Sequence, residues 1–547
     1  MLRWATVFLL ATLLAPLASA QTHEHGLGGD VVIAHDVPAD GRTFVGTINH
    51  FAIVVKGDDS VPDFHNNIHL RVVLNGAVLF ETTPDSGHDY DGVNAFDVVF
   101  PVTGQYSVEA LDPADDGKMV AMFTGTVHLA PVLMPEADLV IEMEGELPIE
   151  QALAFVPAHF KIDLIDRALA RMVASDLPDS AFRIAHSDTW FEAWKDGRLE
   201  FRTKLHTHDE LQELDYAFQS AGDYTVRVTG YLAYPSPTTT LFKPVVEEMQ
   251  VQVLPGPPYS AVPDPGSPPV PTAGEGIPPI NAVVEGTGGG DYLLVGTFDP
   301  YTVVGPDTLQ HLYALVVDPA TGEPVQHVDF SAVLHGPMTF LFSSETLHEY
   351  DGIYELTTRQ ILPGAYTLDI TAERGDWSDT IRMTYLVTPP AVPLNFGLVG
   401  FSLSQDGGAA AGDVGDFVLH ARDSLGQPFA HNEVEFRLFG PDGNAAATTV
   451  PLLAGKLHTH DDGEYAFRMA FPAAGSYLLQ LTPTPLMANP VLLEAQTFRI
   501  DVVDGPGLPA VDVLDEAVGH AAEEAPALPT ALLLAALAVG AVARRRR

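Results

Sequence analysis

The amino-acid sequence predicts an all-β protein with four β-sandwich domains in tandem. A similar phrase recurs four times, beginning as GHDYDG at 87, LHTHDE at 205, LHEYDG at 347 and LHTHDD at 457. Each copy continues into a strand of alternating polar and apolar residues, a glycine turn and a second strand, which is typical of repeated β-hairpins. No sustained helical periodicity intervenes, except a stretch around 166–175 that fits a short helix.

The second strand of each hairpin begins with a Gly-x-Tyr sequence. Its tyrosines are Tyr106, Tyr224, Tyr366 and Tyr477. This feature resembles the tyrosine corner of immunoglobulin-like sandwiches, in which the hydroxyl group forms a hydrogen bond back across the turn. The resemblance implies an immunoglobulin-like topology for each domain.

The repeats predict where the domains begin and end. With 547 residues, the chain is too long for one hydrophobic core, because domains usually contain about 100–150 residues. We place the four domains at 26–135, 136–254, 281–390 and 391–504. The proline-rich segment 255–280 is expected to be an extended, semi-rigid linker that separates domains one and two from domains three and four.

The charge and cysteine content exclude several classes of function. The chain has 72 acidic and 27 basic residues, for a net charge of −45, so it should repel nucleic acid and anionic lipid headgroups. It contains no cysteine, which excludes disulfides, thiolate metal sites and cysteine nucleophiles. The common hydrolase, metalloprotease and nucleotide-binding motifs are also missing from the sequence. We therefore expect a protein that is not an enzyme and does not bind nucleic acid.

Both ends of the chain predict an extracytoplasmic protein. Residues 1–20 have the apolar core and small-residue ending of a secretory signal peptide. An acidic, Ala- and Pro-rich spacer at 505–527 precedes an apolar segment at 528–547 that ends in four arginines. This C-terminal pattern resembles archaeal and bacterial sorting signals for surface proteins. A plain single-span anchor is the alternative, and with either one the body of the protein is tethered to the membrane from outside.

Histidines recur at three positions of the repeat. The first position, at the start of the second strand, holds His50, His159 and His311, with Asp416 in the last repeat. The second position holds His65, His186, His327 and His431. The third position, in the loop before the hairpin, holds His88, His206, His348 and His458, and repeats two and four add His208 and His460.

The sandwich topology predicts that the second and third positions meet at one pole of each domain. The acids that end the second strand, Asp166, Asp318 and Asp423, should lie there too. Two histidines and a carboxylate form a ligand set that suits Cu(II) or Zn(II). The first position lies about seven residues upstream, roughly 20 Å along a strand, and is not expected to join this site.

The domain pattern also resembles a known family. Repeat four, from DFVLHARDSLGQPFAHNEVEFRLFG through HTHDDGEYAFRMAFPAAGSYLLQL, is similar to the YtkA-like and FixH-like extracytoplasmic β-sandwich domains. Repeat three fits through VVDPATGEPVQHVDFSAVLHG and ILPGAYTLDI, so the resemblance covers about half the chain. Members of this family are often associated with copper handling or membrane-protein assembly, and the resemblance therefore favours copper as a cofactor.

Two functions remain open at this stage. The first is a membrane-anchored surface protein with a structural or interaction role, whose partner would be another surface protein or a glycan. The alternative is an extracytoplasmic copper- or zinc-binding protein. The histidines also have an interpretation without metal, because loop histidines often bond backbone groups and their recurrence follows from domain duplication.

Overall fold

The computed structural model describes the body of the chain between residues 30 and 510. The segments left out within that range are 38–40, 57–65, 84–87, 90–91, 116, 130–136, 146, 148–149, 168–169, 172–181, 185–186, 208–210, 232–243, 257–283, 287–290, 300–302, 306–307, 338–339, 389–399, 407–408, 423–425, 427, 429–431, 442–449, 460–462 and 486–495. The predicted signal peptide and C-terminal anchor lie outside the described residues, as does most of the linker. Within the described part of the chain, no helix has the length and apolar character needed to span a membrane.

The described residues form an all-β structure, as predicted, in which thirty-five strands follow one another along the chain. Before residue 130 the strands are β1 Val31–His35, β2 Arg42–Phe44, β3 Ile48–Val55, β4 Asn66–Asn67, β5 His69–Leu74, β6 Ala77–Thr82, β7 His88–Asp89, β8 Val93–Val99, β9 Gly104–Asp112 and β10 Lys118–His128. Between residues 137 and 254 they are β11 Ala137–Glu144, β12 Gln151–Leu153, β13 Ala158–Asp166, β14 Ser187–Lys195, β15 Arg198–Thr207, β16 Gln212–Tyr216, β17 Gly222–Tyr231 and β18 Val245–Leu254. In the stretch predicted to be a short helix, Arg167, Ala170 and Arg171 are helical.

The second half of the chain follows the same scheme. Between residues 284 and 387 the strands are β19 Val284–Glu285, β20 Leu293–Asp299, β21 Val303–Val304, β22 Leu309–Val317, β23 Val328–His335, β24 Phe340–Glu349, β25 Ile353–Arg359, β26 Gly364–Arg374 and β27 Trp377–Val387. From residue 400 they are β28 Gly400–Asp406, β29 Ala409–Ala410, β30 Val414–Arg422, β31 Asn432–Phe439, β32 Leu453–Thr459, β33 Glu464–Ala470, β34 Gly475–Pro485 and β35 Gln496–Val503.

The strands assemble into four large sheets and one small pair, β4 with β7. Sheet A has the order β1-β3-β8-β32-β31-β34-β35-β29, and sheet B has the order β2-β10-β9-β5-β6-β33-β30-β28. Sheet C has the order β11-β13-β16-β24-β23-β26-β27-β21, and sheet D has the order β12-β18-β17-β14-β15-β25-β22-β20-β19. Every large sheet therefore contains strands from two repeats.

The repeats that share sheets differ from the sequence-based expectation. Repeat one joins repeat four through β8–β32 and β6–β33, and repeat two joins repeat three through β15–β25 and β16–β24. The linker was expected to separate repeats one and two from repeats three and four, whereas each pair that shares sheets contains one repeat from either side of it. Unpaired backbone groups on an edge strand need hydrogen-bond partners, and these edges find them in a repeat on the other side of the linker.

Each sheet-sharing pair encloses one continuous core. Sheets A and B pack around the first core, in which the rings of Phe80 and Phe436 from repeats one and four are 5.3 Å apart. Sheets C and D pack around the second, in which Phe201 and Phe342 from repeats two and three are 4.9 Å apart. We call the two units the first double sandwich (repeats one and four) and the second double sandwich (repeats two and three).

The two double sandwiches have equivalent topologies. Read from β1, sheet A matches sheet D read from β20, so that β3 corresponds to β22, β8 to β25 and β32 to β15. Sheets B and C match in the same way from β2 and β21. Repeat one is thus equivalent to repeat three, and repeat four to repeat two. The duplicated KLHTHD sequence falls on equivalent strands, β15 and β32.

The tyrosines of the Gly-x-Tyr sequences form the expected type of hydrogen bond in repeats three and four. The hydroxyl groups of Tyr366 and Tyr477 donate to the carbonyl oxygens of Leu362 and Ala473, four residues earlier, at 2.8 and 2.9 Å. In repeat one the equivalent Tyr106 donates instead to Gly41 at 3.1 Å. The immunoglobulin-like assignment of the individual domains stays a prediction.

The double sandwiches pack against each other through sheets A and D. Small and aliphatic residues of β3 and β8, such as Ala52, Val54 and Ala95, lie against Tyr313 and Leu315 of β22. A second apolar cluster between them contains Ile48 and Val99 together with Trp190 and Tyr231. The polar and charged side chains between these sheets are described below.

Candidate functional site

The structure describes about half of the thirteen residues predicted to bind metal. Side chains are described for Asp166, His206, Asp318, His327, His348 and His458, whereas for His88 only the strand is described. The remaining candidates lie outside the described residues: His65, His186, His208, Asp423, His431 and His460. The proposed sites of repeats one and four therefore stay predictions.

In repeat three, the second and third histidine positions come together as expected. His327 Nδ1 lies 3.3 Å from His348 Nε2. The carboxylate beside this pair belongs to Asp329, which lies 2.7 Å from His348 Nδ1. The predicted acid, Asp318, accepts a hydrogen bond from Ala320 N at 2.7 Å within its own turn.

The third-position histidine of repeat two lies next to this pair. His206 is bonded through Nδ1 to Asp188, and both side chains are buried. Its ring centroid is 5.3 Å from that of His348 and 4.9 Å from that of Tyr350. These histidines meet because repeats two and three share their sheets.

The acids that bond His206 and His348, Asp188 and Asp329, were missed from the sequence, although a signal was present. Asp188, Asp329 and Glu433 each follow the second-position histidine by two residues. In the strand register they lie opposite the third-position histidine of the same repeat: Asp188 opposite His206, Asp329 opposite His348 and Glu433 opposite His458. The His-x-acid spacing was therefore a better guide than the acid at the end of the second strand.

The histidine poles show no metal-binding arrangement in the part of the chain that is described. There, no group of three or more His, Asp or Glu side chains is placed to hold a metal ion. His206 and His348 instead form hydrogen bonds with carboxylates.

The first histidine position has a role that the sequence did not predict. In repeats one and three it lies on β3 and β22, which belong to the facing sheets A and D. His50 is buried there, with Nδ1 2.8 Å from Asp97 and Nε2 3.1 Å from Glu355 of the other double sandwich. Burial alone would lower the pKa of His50, but Glu355 and Asp97 raise it well above its ordinary value. His50 is therefore a buried cation between two carboxylates.

The equivalent His311, in contrast, is uncharged near neutral pH. It lies 2.9 Å from Thr357 Oγ1 and 3.3 Å from each of Glu433 and Glu435. Burial, reinforced by nearby Lys456, lowers the pKa of His311 to about 4. In repeats two and four this position lies on sheets C and B, where His159 is 2.9 Å from Asp215 and Asp416 is 3.1 Å from Arg468 at the surface.

The lysines of the duplicated sequence reach across the same interface. Lys204 Nζ lies 2.7 Å from Glu349, which belongs to the same double sandwich, and 3.9 Å from Asp36, which belongs to the first double sandwich. At the equivalent place Lys456 forms an ion pair with Asp299 of the second double sandwich. Each copy of KLHTHD thus supplies one lysine that joins the two halves of the molecule.

Arginines add further links across the interface. Arg437 of repeat four lies 2.6 Å from Glu192 of repeat two, and Arg202 of repeat two lies 3.2 Å from Asp97 of repeat one. The guanidinium of Arg202 also lies 3.7 Å from the ring centre of Trp190. Although burial opposes the shift, Arg437 and Arg202 lower the pKa of Glu192 to about 2. We call the charged side chains between sheets A and D the ionic layer.

Carboxylates outnumber cations in the ionic layer around Lys204. Asp36, Asp188, Glu349 and Asp351 are all buried and interact electrostatically with one another or with this lysine. Burial raises the pKa of Asp36 to about 8 and that of Asp188 to about 7, and it raises the pKa of Glu349 well above its ordinary value. Ionising the whole group without Lys204 would be unfavourable in so dry an environment.

A small cleft lies within the ionic layer and is lined by residues of both double sandwiches. Its walls carry cations (His50, Arg202, Arg437 and Lys456) and carboxylates (Asp97, Glu355 and Glu435). Most of these groups already form ion pairs across the interface, either with one another or with Glu192 and Asp299 nearby. The arrangement is suited to holding the two halves together.

Comparisons with known proteins provide no family for this chain. No protein-family model and no curated protein sequence matches it. Solved structures with local similarity include alpha-2-macroglobulin of Escherichia coli activated by porcine elastase, at 12% identity over 87% of this chain and 53% of that chain, with a TM-score of 0.17. The S-layer protein rSbsC(31-844) aligns at 12% identity over 86% of this chain and 54% of that chain, with a TM-score of 0.15. The chain spans about half the length of these proteins, and TM-scores this low do not define a shared fold.

Proposed function

We propose that the protein is a membrane-anchored structural or interaction protein of the cell surface. Its four repeats would form one extracytoplasmic block, tethered by the C-terminal segment at 528–547. The proposal includes no catalytic activity and no nucleic-acid partner.

The observation that carries this proposal is the way in which the repeats are joined. Four antiparallel strand junctions unite the repeats into two double sandwiches, and the ionic layer then binds the two double sandwiches to each other. Lys204 and the first-position histidines of repeats one and three are buried in these joints, and the side chain of Lys456 is 8% exposed. Charged side chains that hold the four repeats together in this way fit a protein with a structural role.

Composition supports the extracytoplasmic location. A net charge of −45 without any cysteine keeps a protein hydrated and independent of the redox state of its surroundings. The secretory signal and the arginine-terminated apolar segment predicted from the sequence place the body outside the membrane.

Protease treatment of intact cells tests the location. We expect an added protease to remove the body of the protein from intact cells while a cytoplasmic control protein survives. Protection of the body until the cells are lysed would contradict the proposal.

Metal binding is the second candidate function, and the contact between His327 and His348 favours it. Two imidazoles lie 3.3 Å apart with a third, His206, beside them, and imidazole is a ligand that suits Cu(II) or Zn(II). Repeats two and four, with their additional His208 and His460, would bind more tightly than repeats one and three.

Calorimetric titration of the purified protein with Cu(II) and Zn(II) tests this second function. Neutral imidazole is the ligand, so binding should weaken as the pH falls through about 6.5. A His327→Ala, His348→Ala double variant should lose one binding event, whereas His159→Ala, which changes a half-buried histidine outside the poles, should lose none. Equal titration curves for all three proteins would contradict metal binding at this pole.

A further inference from the structure

Strand β10 of repeat one has an edge that the described strands leave largely uncovered. On one side it pairs with β9 from Lys118 to Val127. On the other side it pairs with β2 only at Thr126–His128. Among the described residues, no strand pairs with the second side of the segment 118–125. Unpaired backbone groups on a strand edge can form hydrogen bonds with another strand.

This uncovered segment also exposes apolar side chains. Met119, Val120 and Met122 are 47%, 37% and 52% exposed, and they are three of the five large hydrophobic residues that are exposed in the described part of the chain. A cluster of apolar side chains on a free strand edge is unusual for a soluble surface, because such edges promote pairing with other chains.

The other three repeats show that the fold itself does not require these residues. The equivalent strands are β18, β27 and β35, each of which pairs with the strand that opens at Gly222, Gly364 or Gly475. Counted from that glycine, the position of Met122 is occupied by Glu248, Arg382 and Thr497. Only repeat one carries an apolar residue there, so its edge differs from three internal controls.

We propose that the free edge of β10 is the surface on which a second copy of this chain docks, with the two β10 strands antiparallel across a twofold axis. This inference rests on the proposed surface role and names a partner for it. Antiparallel pairing of edge strands is already how this chain joins its own repeats, at β8–β32, β6–β33, β15–β25 and β16–β24. A twofold contact needs only one self-complementary segment, and strand addition uses the unpaired backbone groups directly.

The charge distribution favours a second copy over a basic partner. The segment 118–125, KMVAMFTG, contains one lysine and no carboxylate, although the whole chain carries a net charge of −45. Two acidic copies can therefore approach here without carboxylates meeting at the contact. A basic partner would find stronger attraction at almost any other surface.

The expected contact is small and therefore weak in solution. Eight paired residues extend over roughly 26 Å, which places the interface at the low end of the size range of protein contacts, with a dissociation constant on the order of tens of micromolar. Tethering on a membrane raises the effective concentration of the copies, so a contact of this strength is sufficient for association on a surface.

Sedimentation equilibrium of the full chain in mild detergent tests the proposal, with Met122→Lys and Thr497→Lys compared with the wild type. Both substitutions add one positive charge at equivalent positions, but only the first lies on the proposed contact. We expect the wild type and Thr497→Lys to dimerise with similar affinity, and Met122→Lys to weaken the dimer at least tenfold while its melting temperature stays unchanged.

Three results would overturn the proposal. The first is a wild type that stays monomeric at about 200 μM, well above the expected dissociation constant. The others are a Met122→Lys variant that dimerises like the wild type and equal weakening of the dimer by both lysine substitutions. None of these results would alter the outcome of the protease experiment on intact cells. A failure of this inference is thus distinguishable from a failure of the proposed surface location.

Discussion

Replacing Lys204 by methionine should destabilise the protein by about 3–5 kcal/mol, the usual effect of removing one partner from a buried ion pair. Methionine retains the length of the lysine side chain but removes the charge that faces Glu349 at 2.7 Å and Asp36 at 3.9 Å. The buried carboxylates would then have to take up protons or separate. The midpoint of urea-induced unfolding, followed by tryptophan fluorescence, measures the loss.

The same substitution at a partly exposed lysine outside the ionic layer provides the control. Lys161 forms an ion pair with Glu144 at 2.8 Å on the outside of sheet C, and surface ion pairs contribute little to stability. Lys161→Met should therefore shift the midpoint much less than Lys204→Met. Equal shifts would show that Lys204 does not hold the ionic layer together.

The pH dependence of this effect has a definite sign. Burial raises the pKa values of Asp36 and Asp188 to about 8 and about 7 from an ordinary value of 3.8, so the folded state holds protons that the unfolded state releases. Their contribution to stability is full below about pH 4 and is lost as the pH rises through 7–8. The deficit of Lys204→Met should consequently be smaller at pH 5 than at pH 8.5, and a deficit that is independent of pH would contradict the carboxylate cluster.

The local elements of the fold could be predicted from the sequence because their signals are local. The alternation of Tyr465, Phe467 and Met469 predicted a half-buried strand, and all three side chains are buried on β33. The proximity of the second and third histidine positions in repeat three was also anticipated, since it follows from the order of strands within one domain.

The joints between repeats could not be predicted in the same way. A period-two pattern shows which face of a strand is polar, but it does not show whether that face meets solvent or a second polar face. Strand β14 illustrates the difference, because its polar residues Asp188 and Glu192 are as buried as Phe191 on the opposite face. Arg437, which forms an ion pair with Glu192, lies 245 residues away along the chain.

The role of the first histidine position could not be predicted for the same reason. His50 and Glu355 are separated by 305 residues, so no spacing within one repeat could indicate their contact. The duplicated lysine before each LHTHD sequence was the available signal, since a scarce residue in a chain with a net charge of −45 had to have a compensating environment. The role of this lysine depends on which sheets face each other, and the facing sheets are known only from the assembled molecule.

The arrangement of the repeats predicts an unusual response to cleavage of the linker. All four strand junctions connect a strand before residue 257 with a strand after residue 283, and the ion pair between Arg437 and Glu192 also joins these two parts of the chain. The chain segments before and after the linker should therefore stay together when the linker is cut. A tandem array whose halves fold separately would come apart.

The most direct test is to insert a site-specific protease sequence into the linker between residues 257 and 283, cleave the folded protein completely and examine it by size-exclusion chromatography and native mass spectrometry. We expect the two fragments to elute as one particle with the size of the uncut protein and to separate only when a denaturant is added. Elution of two independent, folded fragments under native conditions would contradict the pairing of repeat one with four and of repeat two with three.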